Sequence, residues 1–277
     1  MNKVIGFFVG ALVLAGIAVI AWYHYGPPSD APVETAAPAV ATNAAPAAAA
    51  PAEPEYRVPE PAADDGGAVP AMPALADSDD AVRGELETLA GPAPVESLLI
   101  PTQIIRRWVA FINSLDRDGL PVAQRPIKRV PGWPQVADDD QDLVLDPANA
   151  KRYDDYLAVV AAVDVKKFVA FYFRYYPLFQ RAYEELGYGG RYFNTRLLHV
   201  IDHLLATPIV SQPVKLVRPN VMYKFADPQL ESLSFGQKTL IRLGPDGEQT
   251  VKDKLRAIRG EIVARSKQPG MPKENAP

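Results

Sequence analysis

The chain changes its preferred solvent within its first 77 residues, and no single globule can accommodate that change. Val4 to Trp22 is a run of 19 residues without a charge, and residues 26–77 then hold 11 prolines and 18 alanines. As a helix at 1.5 Å per residue the run would extend about 28 Å, close to the roughly 30 Å hydrocarbon core of a bilayer. Trp22, Tyr23 and Tyr25 follow at its far end, where amphipathic rings favour the headgroup region. Lys3 and the amino terminus precede it, and no lysine or arginine follows before Arg57. The positive-inside rule therefore predicts a cytoplasmic N-terminus with everything else outside. A cleaved signal peptide would need a small-residue site, and the bulky Trp22-Tyr23-His24-Tyr25 end offers none before Ala39-Val40-Ala41. We read residues 4–25 as an uncleaved single-pass anchor.

Residues 26–77 cannot form a core. Proline removes backbone donors and blocks helix, and Tyr56, Val58 and Leu75 are among the few large apolar side chains. The segment reads as a disordered tether with a polyproline II bias, reaching on the order of 160 Å at full extension. The charge divides at the same place. Residues 1–77 carry two basic and eight acidic side chains, whereas residues 78–277 carry 27 basic and 25 acidic ones. A near-neutral domain argues against a general nucleic-acid binder. With no cysteine, disulfides, thiolate metal sites and cysteine nucleophiles are excluded.

Residues 78–266 read as a mainly α, multi-helix domain with a small β-hairpin, followed by a disordered tail over 267–277. Ser78 is positioned to cap a helix through Val82, Leu86 and Leu89, with Gly91-Pro92 ending it. Thr102 caps a second, whose Ile104, Ile105, Trp108, Phe111, Ile112 and Leu115 form a buried stripe and which Asp118-Gly119 closes. Asp146-Pro147 opens a helix with Tyr153, Tyr156, Leu157, Val160 and Val163 on one face. Asp164 caps the longest, Val165 to Leu186, in which Pro177 should produce a kink. Phe193 to Ala206 is helical, and Val214 to Phe225 reads as a short hairpin. Asp227-Pro228 restarts helix, Ser234 and Gln237 form a capping box, and Gly244 to Gly247 is a turn. A last helix carries Val251, Leu255, Ile258 and Ile262.

The segment between Asp118 and Asp146 is long for a loop. Ile127, Val130, Trp133 and Val136 recur every third residue among Pro126, Pro131 and Pro134, which is the polyproline II period. It reads as a strap with its apolar edge on the core, Arg125, Lys128 and Arg129 outward, and an acidic turn at Asp138, Asp139, Asp140 and Asp142. A flap over a groove is the alternative.

Candidates for chemistry are few. His199, Asp202 and His203 have a spacing that can chelate zinc, but they also form the plain polar face of an amphipathic helix. Phe168, Phe171, Tyr172, Tyr175, Phe179, Tyr183 and Leu186 keep helical spacing, as core does. Phe173, Tyr176, Tyr188, Tyr192 and Phe193 widen that patch and leave room for a groove that stacks on a sugar or grips a partner. Glu184 and Glu185 diverge on a helix and are no acid/base pair. No nucleophile elbow, phosphate loop or dinucleotide fingerprint is present. We expect no catalytic residue and no cofactor.

Several motifs together carry a resemblance. They are Lys151-Arg152-Tyr153, Tyr176-Pro177-Leu178, Ala182-Tyr183-Glu184-Glu185-Leu186-Gly187 and Phe193. They continue with Leu204-Leu205-Ala206-Thr207-Pro208, Tyr223 to Pro228, Leu230-Glu231 and Gln237 to Pro245. With the anchor and tether, the chain resembles the bacterial domain-of-unknown-function family 3014 of Gram-negative cell envelopes. The resemblance implies an inner-membrane protein facing the periplasm and assigns no catalytic residue. The expected role is an envelope interaction module holding a protein partner. A cell-wall glycan or peptide binder is the alternative, and a periplasmic hydrolase a third reading. Arg152, Tyr153, Tyr183, Tyr188, Lys238 and Arg242 are the candidate partner- or ligand-binding residues.

Overall fold

The computed structural model describes residue 58 and residues 72–119, 122–139, 142–162 and 164–266. The expected anchor over 4–25, nearly all of the tether, Val163 and the tail over 267–277 lie outside the described residues. No helix among the described residues is long and apolar enough to cross a membrane.

After a 3₁₀ turn over Leu75–Asp77 come α1 (Asp79–Ala90), α2 (Pro92–Leu98) and α3 (Ile104–Ile112). The strands β1 (Val136–Asp139) and β2 (Asp142–Leu145) follow, then a 3₁₀ helix over Pro147–Tyr153, α4 (Asp154–Ala162), α5 (Val165–Glu185) and α6 (Phe193–Leu205). The chain ends with β3 (Lys215–Val217), β4 (Lys224–Phe225), α7 (Pro228–Glu231), α8 (Phe235–Arg242) and α9 (Gly244–Ser266). The architecture is therefore mainly helical with one small antiparallel sheet in the order β1-β2-β3-β4.

The periodic stripes become the core. Ile104, Ile105, Trp108, Phe111, Ile112 and Leu115 are all buried, as are Val251, Leu255, Ile258 and Ile262 of α9. α3 packs on α5, and α9 lies against α4, α5 and α6. A second, smaller core joins Leu145, Val214, Leu216 and Phe225 of the sheet region to Ile241 of α8. The capping box at the start of α8 is complete, and Asp146, Asp164 and Asp227 each accept a backbone N–H at their helix starts. α5 is helical without interruption through Pro177.

Several local readings are corrected, mostly because tertiary partners replace local ones. The Ser78 hydroxyl donates to Leu75 O rather than capping α1. Pro92 opens α2 instead of only ending α1, since its fixed φ suits a first helical position. Thr102 does not cap α3; the Asp79 carboxylate, reaching over from α1, accepts from Gln103 N at 2.6 Å and Ile104 N at 2.8 Å. α3 stops at Ile112, well before Asp118-Gly119. Gly244 to Gly247 is the first turn of α9, entered with Gly244 at φ 78°. The hairpin at Val214 to Phe225 forms as β3 and β4, but it is half of a larger sheet.

The other half comes from the strap. Ile127 and Val130 are buried as the three-residue period requires, and Leu99 bridges Ile127 through Ile100 N to Pro126 O and Lys128 N to Leu98 O. The period then breaks, and Trp133 points into solvent. Arg125, expected outward, is buried. The acidic stretch is no simple turn but the β1–β2 hairpin, with Val136 opposite Leu145 and Asp139 opposite Asp142. Aspartate has a low strand propensity, so this pairing is imposed by the sheet beside it.

Candidate functional site

The structure divides the expected binding residues between two separate groups. Tyr183, near the end of α5, stacks on Tyr188 just beyond it, with ring centroids 4.6 Å apart and an interplanar angle of 7°. The Tyr188 hydroxyl accepts from Asn113 Nδ2 at 3.2 Å and Arg117 at 2.7 Å, and these two bonds lower its pKa below the usual phenol value. Asn113 Oδ1 accepts from Arg196 Nε at 2.9 Å, and the same guanidinium grips both Asp116 oxygens at 2.6 and 2.7 Å. Burial pushes the Asp116 carboxyl up, but the bond and charge of Arg196 outweigh it and hold the pKa below its ordinary value. Such a bidentate pair locks the α3 end to α6.

Arg152, Tyr153, Lys238 and Arg242 form the second group, at the seam between helices and sheet. Arg242 is stretched over the Phe225 ring at 4.7 Å, and burial lowers its pKa. The Lys238 ammonium donates to Glu231 O at 2.9 Å. Tyr153 is buried, which raises its phenol pKa. Asn149 ties the group together: its Nδ2 donates to Arg242 O at 3.2 Å and its Oδ1 accepts from Arg152 at 3.0 Å. Tyr153 and Lys238 are buried, Arg152 and Arg242 half-buried, and all four fasten the seam.

The aromatic stripe is interior too. Phe168, Phe171, Tyr172, Tyr175, Phe179, Tyr183 and Phe193 are buried against one another and against α3 and α6. Their faces stabilise the core and present no stacking platform.

The histidine group is equally committed. Asp202 accepts a two-pronged bond from Arg259 at 2.6 and 3.0 Å, turning away from its neighbours. His199 is exposed and lies 4.0 Å from Asp116. His203 Nε2 sits 2.8 Å from Ser234 Oγ, a Ser–His contact that invites comparison with a hydrolase. The surroundings do not match one. Ser234 Oγ already accepts from Gln237 N as the α8 cap, while Phe235 N and Gly236 N donate to Arg117 O and Leu115 O. The N–H groups that would form an oxyanion hole are spent. Among the described residues, no group of three or more His, Asp or Glu side chains is placed to hold a metal ion.

Sequence reasoning missed Trp133. The residue is 70% exposed, yet the backbone that carries it is pinned on both sides. Arg152 donates to Gly132 O at 3.0 Å and Pro131 O at 3.3 Å, and Gln135 N donates to Asn149 Oδ1 at 3.1 Å. Gly132 adopts φ 78°, a left-handed turn that glycine alone enters without strain. Pro131 and Pro134 stiffen the flanks. A tryptophan held rigidly in water forgoes about 2–3 kcal/mol of burial and loses little entropy on docking. The signal available beforehand was the run Pro131-Gly132-Trp133-Pro134, a turn signature around a large ring.

A family model described as Protein of unknown function (DUF3014) matches residues 104–259, more than half of the chain, and the chain belongs to that family. That span contains α3 to most of α9, the whole sheet, and every candidate residue above. No curated protein and no solved structure matches the chain.

Proposed function

We propose that this protein is a membrane-tethered module of the bacterial cell envelope that holds a protein partner through the turn carrying Trp133. The N-terminal apolar run serves as a single inner-membrane anchor with a cytoplasmic N-terminus, and the Pro/Ala-rich segment spaces the domain into the periplasm. The order of these segments in the sequence and the family resemblance support that placement. One observation carries the binding role: Trp133 is 70% exposed on a turn whose backbone is held on both sides. Exposed aromatic anchors on preorganised backbone are what protein interfaces use as hot spots. A glycan reading would need the buried stripe to be accessible, and a hydrolase would need donors that α8 has already engaged.

Three experiments test this reading. A topology reporter fused after Asp77 should report the periplasmic side; a cytosolic signal overturns the tethered arrangement. Crosslinking in cells, followed by mass spectrometry of the full-length chain, should yield a reproducible envelope protein whose recovery falls at least tenfold in Trp133→Ala. A chain that crosslinks to nothing, or equally well without the ring, contradicts the binding role. Co-sedimentation with cell-wall sacculi that depends on Trp133 would move the assignment to the glycan.

A further inference from the structure

The two edges of the small sheet differ. At the β4 edge, Phe225 N points outward and donates to Glu231 Oε2 at 2.9 Å, so a side chain closes the only outward donor of that short strand. β1 is four residues long, and its backbone polarity can be worked out from its partners. Leu145 N donates away from β1 to Val214 O, and Asp146 N donates to Gln135 O. Val136, opposite Leu145, is therefore in a pair that exchanges no bonds, and Gln135, Ala137 and Asp139 are the residues facing β2. The N–H and C=O groups of Val136 and Asp138 point out of the sheet, where no described residue meets them. Natural proteins usually cover or cap such an edge, as this one does at β4.

Resting on the reading of an interaction module, we infer that β1 accepts an extended, basic segment of the partner as a fifth strand, with Trp133 gripping one of its apolar side chains. Strand addition takes its affinity from main-chain bonds and its specificity from alternate side chains. Val136 and Asp138 supply four main-chain groups in register. Trp133 lies three residues upstream, within about 10 Å at 3.3 Å per residue. The charge selects the sign of the partner. Asp138 lies exposed on β1, and Asp142 is already paired with Lys215 at 2.5 Å. A strand bearing lysine or arginine beside Asp138 is attracted, and an acidic one is repelled. The same charge disfavours a second copy, because two β1 edges side by side would bring the two Asp138 carboxylates together. The tether of this chain is a poor occupant as well, since its prolines lack the donors a strand needs.

The test uses the full-length protein and three defined eight-residue peptides: alternating lysine and valine, alternating glutamate and valine, and alternating lysine and proline. The lysine–valine peptide should bind at least tenfold more tightly than the other two and slow amide exchange at Val136 and Asp138. Asp138→Pro removes one outward donor without touching a β1–β2 bond, and should cut binding tenfold or more with an unchanged melting temperature. Asp138→Lys should reverse the preference between the lysine and glutamate peptides. If Asp138→Pro proves unstable, Asp138→Lys alone decides. Equal binding of the lysine–proline peptide shows charge attraction without a strand, and overturns the inference. So does an unchanged preference in Asp138→Lys, failure of all three peptides to bind, or a wild-type dimer that Asp138→Pro dissociates. In cells, partner adducts lost in Trp133→Ala but kept in Asp138→Pro would sink strand addition alone; absence of any adduct would sink the module reading itself.

Discussion

Arg152→Met is the substitution that best separates the fasteners from the face they support. It keeps most of the aliphatic length and removes three donor contacts: to Asn149 Oδ1 at 3.0 Å, Gly132 O at 3.0 Å and Pro131 O at 3.3 Å. Pro131 and Gly132 are exposed, so water can replace the arginine at both carbonyls and each bond is worth about 0.5 kcal/mol net. Asn149 is 1% exposed, and its lost contact is worth about 1 kcal/mol. The sum is about 2 kcal/mol. For a folded domain of about 190 residues the unfolding entropy is about 0.4 kcal/mol/K, so the melting temperature should fall by about 5 °C. The more telling effect is local. Fluorotryptophan NMR of the full-length chain resolves Trp22, Trp108 and Trp133 separately. The Trp133 resonance alone should narrow as its turn is released, while the Trp108 resonance stays unchanged. A melting temperature within 1 °C of wild type, with an unaltered Trp133 line width, would refute the claim that Arg152 holds the turn.

Other perturbations address other joints. Gly236→Ala should destabilise by about 1–3 kcal/mol in urea melts, because its Cβ would fall 2.6 Å from Leu204 Cδ2 and 2.7 Å from the fixed Leu115 carbonyl. A neutral effect would mean that this seam can open. Asp79→Ala should cost about 1–2 kcal/mol by uncapping α3 at Gln103 N and Ile104 N. Asp116 has a folded pKa below its ordinary 3.8, so its contribution is fully present above that value and is lost as pH falls through the lower folded value. Asp116→Asn should flatten the acid limb of the stability curve below about pH 4. An unchanged limb would refute the Arg196 account. Zinc should leave the melting temperature unchanged, since Asp202 is held by Arg259 and His203 faces Ser234; a rise abolished by His199→Ala would contradict this.

What could be read from the sequence followed from periodicity and capping chemistry. The helical stripes of α3 and α9 became core, that of α5 did so except for its last member, the exposed Leu186, and the Ser234–Gln237 box formed as written. These signals are local, and burial acts on them in the same direction. The failures share a non-local cause. α3 is capped by a carboxylate 24 residues upstream, and β2, which pairs with β1, is joined on its other side by β3, about 70 residues later. The candidate site failed for a related reason. Arg152, Arg242 and Lys238 suggest ligand contacts by residue type, but their partners include backbone carbonyls, the Asn149 amide, the Glu231 carboxylate and the Phe225 ring, and for most of them no spacing reveals the contact. The sequence places Trp133 inward because the three-residue period, which holds for Ile127 and Val130, gives no sign that it ends at Gly132.

Hydroxyl-radical footprinting of Trp133, read by mass spectrometry in purified full-length protein and again in intact cell envelopes, puts the docking role to its most direct test. The purified chain should be modified strongly at Trp133 and weakly at buried Trp108, with Trp133 protected several-fold in the envelope. Equal modification of Trp133 in both settings would mean that nothing covers the ring, and the docking role would be withdrawn.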